Sequence, residues 1–398
     1  MGEMTSTVYS AAQALRREGP ATAREALLRA RGRTLAIARA YEAALGPTLA
    51  VPQRATLNPP LWELGHIAWF QEYWLGRNPH RARGIAQATD ERAPSLLGGA
   101  DSLYDSSRVA HATRWSLPLP DLHGTRDYLE RSLRQTLTLL DDLPADAGDD
   151  ALYFFRLTAL HEEMHAEAGI YMAHALGIEL PAHLMREVPA AADGTVAVPA
   201  QRFVLGSSGP GFAFDNELGA HEVALDAFEV DTRAVTWARY LPFVHAGGYR
   251  EARWWGEAGA KWLAHVGTAA REQQVQAQAL AQDASRAAVH LSAHEARAWC
   301  RWAGRRLPTE AEWECAAFTA PGFHWGEVWE WTATPFAPYP GFTPHPYRDY
   351  SAPWFGSRMV LRGACPATAE TLAHPRYRNF FEPQRSDVFG GFRSCAAG

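Results

Sequence analysis

Residues 149–177, DDALYFFRLTALHEEMHAEAGIYMAHALG, constrain the fold of this chain more than any other stretch. The run reads as one long helix and stops at Gly177, a residue type that accepts the left-handed turn closing many helices. A helix of that length crosses a small domain from end to end and is stabilised mainly by partners of similar length. Three precede it. Residues 20–45, PATAREALLRARGRTLAIARAYEAAL, carry apolar residues at helical spacing. Residues 57–76, LNPPLWELGHIAWFQEYWLG, begin with Asn58 as a cap and prolines in the first turn, and residues 121–143 form the third. Together they predict a four-helix bundle. Residues 77–120 read as a long loop, which in a compact domain points to function.

Beyond this the pattern changes. LMREVPAAADGTVAVPAQ has linker composition, and after it come short alternating runs, glycine-rich turns and two short helices around 235–245 and 292–318. The chain therefore reads as α+β, with a bundle over residues 1–185, a linker over 186–200 and a mixed domain over 201–398. Its 398 residues predict two cores. REQQVQAQALAQDASRAA is a solvated helix or loop, and core packing accounts for most of the 15 tryptophans.

A net charge of -6 with dispersed Lys and Arg leaves no basic face for nucleic acid. Four cysteines without C-x-x-C spacing point to a reducing cytoplasm. No signal peptide and no membrane-length apolar run is visible, and Gly2 with Ser6 matches the N-myristoylation pattern only as a short motif. Nothing in the pattern specifies an oligomeric state.

His161, Glu162 and His165 spell H-E-x-x-H, the signature of zinc proteases. Four residues apart on a helix, the two histidines share one face and can share one ion. A protease needs a further ligand, but Tyr171 stands where a metzincin has its third histidine. His174 falls on the opposite side of the helix, and Glu179 and Glu187 lie in proline-containing sequence outside the helical pattern. His66, on the otherwise apolar second helix, is the available third ligand, within reach across a bundle spacing of about 8–10 Å. Three neutral nitrogens suit Zn, Fe or Cu.

NPPLWELGHIAWFQEYW, HEEMH, RLPTEAEWECAA, GEVWEWTATPFAPYPGF, VLRGAC and RYRNFFEPQRSDVFGGFR occur in this order. Together they resemble the ergothioneine-biosynthesis sulfoxide synthases. The resemblance covers nearly the whole chain. It implies a DinB-like four-helix bundle followed by a C-type-lectin-like domain of the formylglycine-generating-enzyme type. It also implies an iron(II) enzyme that uses O2 to join a thiol's sulfur to the imidazole of hercynine. By motif matching, His66, His161 and His165 hold the iron, and Glu162 flanks it. Tyr347 matches the active-site tyrosine, with Tyr350 the alternative. Asn379 matches the asparagine near the betaine, and Phe380 takes the place of a family tryptophan.

The chain departs from the branch that uses γ-glutamylcysteine. Phe381 replaces an aspartate that binds the donor's amino group, His111 and Arg114 align with two arginines that clamp its carboxylates, and Met164 replaces a glutamine. Leaving a charged group unpaired in a desolvated pocket costs about 3–5 kcal/mol. These changes therefore imply a neutral donor, and in length and in DSSRVAHATRW the chain resembles the selenoneine synthases. That likeness implies a selenosugar, 1-seleno-β-D-glucose, as donor and carbon–selenium bond formation, with cysteine or γ-glutamylcysteine as the alternative.

Overall fold

The computed structural model describes residues 3–86, 91–189 and 191–397, the side chains of 3–9 excepted. Gly2 and the side chain of Ser6 therefore lie outside it, as do residues 87–90 of the long loop and residue 190 of the expected linker. The first half is α1 (Glu3–Arg17), α2 (Pro20–Leu45), α3 (Pro60–Gln71), α4 (Ala100–Tyr104), α5 (Leu122–Asp141) and α6 (Asp149–Leu176). The bundle is made by α2, α3, α5 and α6: α2 packs on α5 and α6, and α3 on α5 and α6. Helix α1, absent from the sequence-based expectation, packs beside α2 and α6. Helix α6 ends at Gly177 with φ 69° and ψ 25°, the left-handed conformation expected of its closing glycine. Helix α3 widens into a π-helical turn over Glu72–Gly76, where a Cβ on Gly76 would stand 1.9 Å from Gln135 on α5.

Strands occupy the second half. β1 (Thr195–Val198), β4 (Phe228–Asp231), β10 (Cys395–Ala396) and β5 (Arg305–Arg306) form one sheet in the order β1-β4-β10-β5. β2 (Gln201–Leu205) and β3 (His221–Leu225) form an antiparallel pair. β6 (Val328–Pro335), β7 (Met359–Ala364), β8 (Asn379–Phe381) and β9 (Gly390–Gly391) form the third sheet, ordered β8-β7-β6-β9, with β6 and β9 parallel. The helices are α7 (Trp237–His245), α8 (Gly256–Val266), α9 (Thr268–Leu280), α10 (Ala293–Trp302) and α11 (Glu310–Thr319).

Three expectations need correction. The linker stretch contains β1, because the β-branched run Thr195-Val196-Ala197-Val198 pairs in register with β4. The helix expected over 292–318 is two, α10 and α11, each opened by a capping box, Ser292 with Glu295 and Thr309 with Glu312. The biased segment is mostly helix, α9, as its pattern allowed, but it is not wholly solvated, since Arg271 and Val275 are buried.

The two halves share a core rather than owning one each. One apolar cluster runs from Leu27 and Phe154 in the bundle to Trp331 and Phe392 in the second half, with smaller clusters beside it. Polar ties cross the same junction: Arg16 grips Glu217 at 2.6 and 2.9 Å, and the Trp329 indole donates to Glu167 on α6 at 2.6 Å. Such buried ion pairs hold one arrangement against alternatives, since breaking one leaves a charge uncompensated. Among the described residues no helix is long and apolar enough to cross a membrane, and all four cysteines are free and buried.

Candidate metal centre

Helix α3 brings His66, and α6 brings His161 and His165 from successive turns, so that one ligand atom of each lies within 4.8 Å of the other two. The partners of the far ring nitrogens set the tautomers. His66 Nδ1 stands 2.8 Å from the Tyr104 carbonyl, which only accepts, so Nδ1 carries the hydrogen and Nε2 is left as a ligand atom. His165 Nδ1 donates in the same way to Glu63 Oε2 at 2.5 Å. The His161 ring lies flat on Phe70, with centroids 3.5 Å apart.

Burial, and then the charge of His165, holds the His66 pKa down at about 3, and the same causes keep His161 well below the ordinary imidazole range. Both are neutral, as ligands must be. The Nε2 atoms of His161 and His165 face each other at 3.2 Å. Two ligands of one ion at bond lengths of about 2.0–2.1 Å sit about 3 Å apart, so the donor set fits a shared cation.

A second layer holds these rings. Glu63 accepts from His165 and, through Oε1, from Asn58 Nδ2 at 2.6 Å; Asn58 Oδ1 accepts from Arg114 at 2.9 Å; Arg114 lies over the Trp62 ring at 3.7 Å. Burial raises the Glu63 pKa, but His165, with His66 and Arg114 behind it, more than offsets this, and the carboxyl stays below its usual range. Asn58 is therefore not a helix cap: its side chain makes no cap bond and links Glu63 to Arg114 instead. Glu162 points away from the histidines. Arg31 holds it at 2.7 and 3.1 Å in a buried pair, so it cannot serve as the water-activating base of a protease.

Next to His165 opens a cavity of about 290 Å³ at the junction of the two halves. It gathers Met164, Tyr350, Asn379, Phe380 and Phe381 from the expected site. Met164 Sδ accepts from the Tyr377 hydroxyl at 3.2 Å, and Tyr350 donates to Tyr377 at 3.2 Å. Asn379 Oδ1 accepts from the Phe380 amide at 2.9 Å, while the Phe380 ring stacks on Phe336 at 4.1 Å. Tyr347 is partly buried, edge-on to Phe70 at 4.9 Å and 6.1 Å from the His161 ring, and its hydroxyl makes no hydrogen bond among the described residues.

His111 and Arg114 do not line this cavity. His111 Nε2 is tied to the Leu57 carbonyl at 2.8 Å, and Arg114 is drawn to the buried charge of Glu63 through Asn58. Sequence reasoning missed Glu63, Tyr104, Tyr171, Trp329, Trp354, Arg358 and Tyr377. A carboxylate three residues before His66 on an apolar helix was a readable signal for Glu63. Tyr171 lies on α6 with His161 and His165, while the others come from distant segments and carry no local signal.

The DinB superfamily profile matches residues 25–173, and that of the sulfatase-modifying factor enzyme 1-like domain matches residues 181–325. The chain is 32% identical to the hercynine oxygenase of Mycolicibacterium thermoresistibile, across 85% of this chain and 87% of that one. It is 31% identical to the hercynine oxygenase of Mycobacterium tuberculosis, across 92% and 96%. The formylglycine-generating enzyme of Streptomyces coelicolor is 28% identical across 52% of this chain and 90% of its own.

Proposed function

The chain belongs to the hercynine oxygenase family, and from that premise we propose that it joins a selenosugar, 1-seleno-β-D-glucose, to the imidazole of hercynine at an iron(II) centre, with O2 as oxidant. The observation that carries the metal reading is the convergence of His66, His161 and His165, with the Nδ1 hydrogens of His66 and His165 engaged elsewhere and the His161 ring held flat against Phe70. Iron(II) held by these three rings supplies the one-electron chemistry that O2 requires.

The remaining roles fall to the protein. The bundle, residues 1–185, holds the metal, a connection up to the start of β1 at Thr195 follows, and the second half supplies most of the substrate wall. Tyr171, Trp329, Trp354 and Tyr377 line the cavity with aromatic faces, which exclude water and attract a quaternary ammonium that has no N–H to donate. Asn379 and Phe380 bind hercynine there, next to His165. Tyr347 holds a proton at Oη, because burial and then Asp349 raise its pKa, and it stands on the His161 side of the site to deliver that proton. Phe381 faces the donor and supplies no charge for an amino group. Arg114 acts through Asn58 and Glu63 on His165.

The test is a donor competition. Iron(II)-loaded protein with hercynine and O2 is offered the selenosugar, cysteine and γ-glutamylcysteine, and products are followed by mass. Fastest turnover with the selenosugar is expected; faster turnover with γ-glutamylcysteine assigns the protein to sulfoxide synthesis, and no product with any donor overturns the reading. Phe381→Asp is expected to raise kcat/KM for cysteine or γ-glutamylcysteine about tenfold, by restoring a partner for the ammonium group. An unchanged donor preference places Phe381 away from the donor.

A further inference from the structure

Among the residues lining the cavity, Arg358 is the one guanidinium and Glu167 the one carboxyl group. Glu167 Oε1 accepts from the Trp329 indole at 2.6 Å, and its Oε2 is buried without a hydrogen-bond partner. Arg358 is not comparably engaged. Its side chain is 15% exposed, Nε is buried without a hydrogen-bond partner, and neither Nη atom makes a hydrogen bond among the described residues. Its nearest carboxylate, Glu382, is 43% exposed and 3.9 Å away, at the outer limit of an ion pair. Arg358 immediately precedes β7, which pairs with β8 so that Met359 faces Phe381, and Glu382 is thus its cross-strand neighbour. The guanidinium lies over the Trp354 ring, 4.2 Å from its centroid, and this stacking holds its plane in place.

A desolvated guanidinium that lacks a good partner is costly unless an anion completes it. Arg358 shares the cavity with Asn379, Phe380 and His165, and its planar fork suits a carboxylate through two parallel hydrogen bonds. We propose that Arg358 determines substrate specificity by receiving the carboxylate of the hercynine-type betaine, while the aromatic walls take its quaternary end. This rests on the function proposed above. The proposed selenosugar carries no carboxylate; only a donor of the cysteine type would bring a second one. Arg358 is assigned to the betaine because it borders the same β7–β8 edge that presents Asn379 and Phe380.

The test uses titration calorimetry on anaerobic, iron(II)-loaded protein, with hercynine and with its carboxylate-free analogue, 2-(imidazol-4-yl)ethyl-trimethylammonium. Arg358→Ala is expected to raise the hercynine Kd about 100-fold, as for loss of a buried charge-assisted pair, and to change the Kd of the analogue less than about threefold. Arg358→Lys keeps the charge but not the fork, and should recover about tenfold of the loss. Equal losses for both ligands would reduce Arg358 to a packing role and overturn the proposal. So would an unchanged hercynine Kd, and most directly one accompanied by a higher KM for cysteine, which assigns the residue to the donor. Wild-type protein that binds neither ligand overturns the parent reading and this one with it. Should Arg358→Ala not fold, Arg358→Gln keeps the stem over Trp354 and carries the same comparison.

Discussion

His161→Ala is expected to leave the protein without stoichiometric metal and without detectable turnover. The three rings form a near-equilateral triangle: the His161 centroid lies 5.1 Å from that of His66 and 4.4 Å from that of His165, and those two lie 4.8 Å apart. Removing it leaves one ring on each of α3 and α6. Metal content after dialysis against a mild chelator is the first readout. The second is thermal unfolding with and without added iron(II) under anaerobic conditions. A ligand that binds only the folded state at 1,000 times its Kd stabilises it by about 4 kcal/mol, so wild type should gain several degrees and the variant almost none. The Phe70 ring, stacked on His161, also loses a neighbour, and the metal-free variant should be about 2–4 kcal/mol less stable than metal-free wild type. Metal-dependent stabilisation that survives in the variant would remove His161 from the ligand set.

Gly65→Ala should damage the same centre without touching a ligand. A Cβ at this position would stand 2.2 Å from Cε1 and Cζ of Tyr104 and 2.4 Å from its hydroxyl oxygen, contacts no real side chain tolerates. Tyr104 is fully buried, and its carbonyl fixes the Nδ1 hydrogen of His66. Overpacking here is expected to cost about 1–3 kcal/mol of stability. Displacing the carbonyl should weaken metal binding about 10–100-fold, the usual effect of losing the partner behind a ligating histidine. The double variant Gly65→Ala with Tyr104→Leu, which makes room, should recover much of the affinity. Gly32→Ala is the control: its Cβ meets nothing within 4 Å on α2, and the change should stabilise by about 0.5–1 kcal/mol. Full metal affinity in Gly65→Ala would show that the Tyr104 carbonyl does not hold His66.

The clustering of the three histidines was legible because its signal is short in range or carried on a strongly apolar element. One helical turn puts His161 and His165 on one face, and His66 stood out among Leu64, Ile67 and Trp69. Arg114 is the opposite case. The family resemblance put it at a donor-clamp position, whereas the buried charge of Glu63, reached through Asn58, decides where the guanidinium goes in the structure. The linker was misread because proline and alanine on either side masked a four-residue strand that forms only when β4 is there to pair with it. Arg358 and Trp329 gave no warning, since each reaches the cavity from a separate strand region of the second half.

From the sequence alone follow the four long helices, the change to short strands past the bundle, and three histidines able to share an ion. Each depends on periodicity or on the chemistry of a few residue types, which local physics imposes on any chain with that pattern. Only the tertiary structure decided which nitrogens face inward, what stands behind them, and which charged side chain is left facing the cavity without a strong partner. Those outcomes depend on burial and on contacts between segments far apart in the chain, where desolvation makes each unpaired group expensive and packing selects its partner.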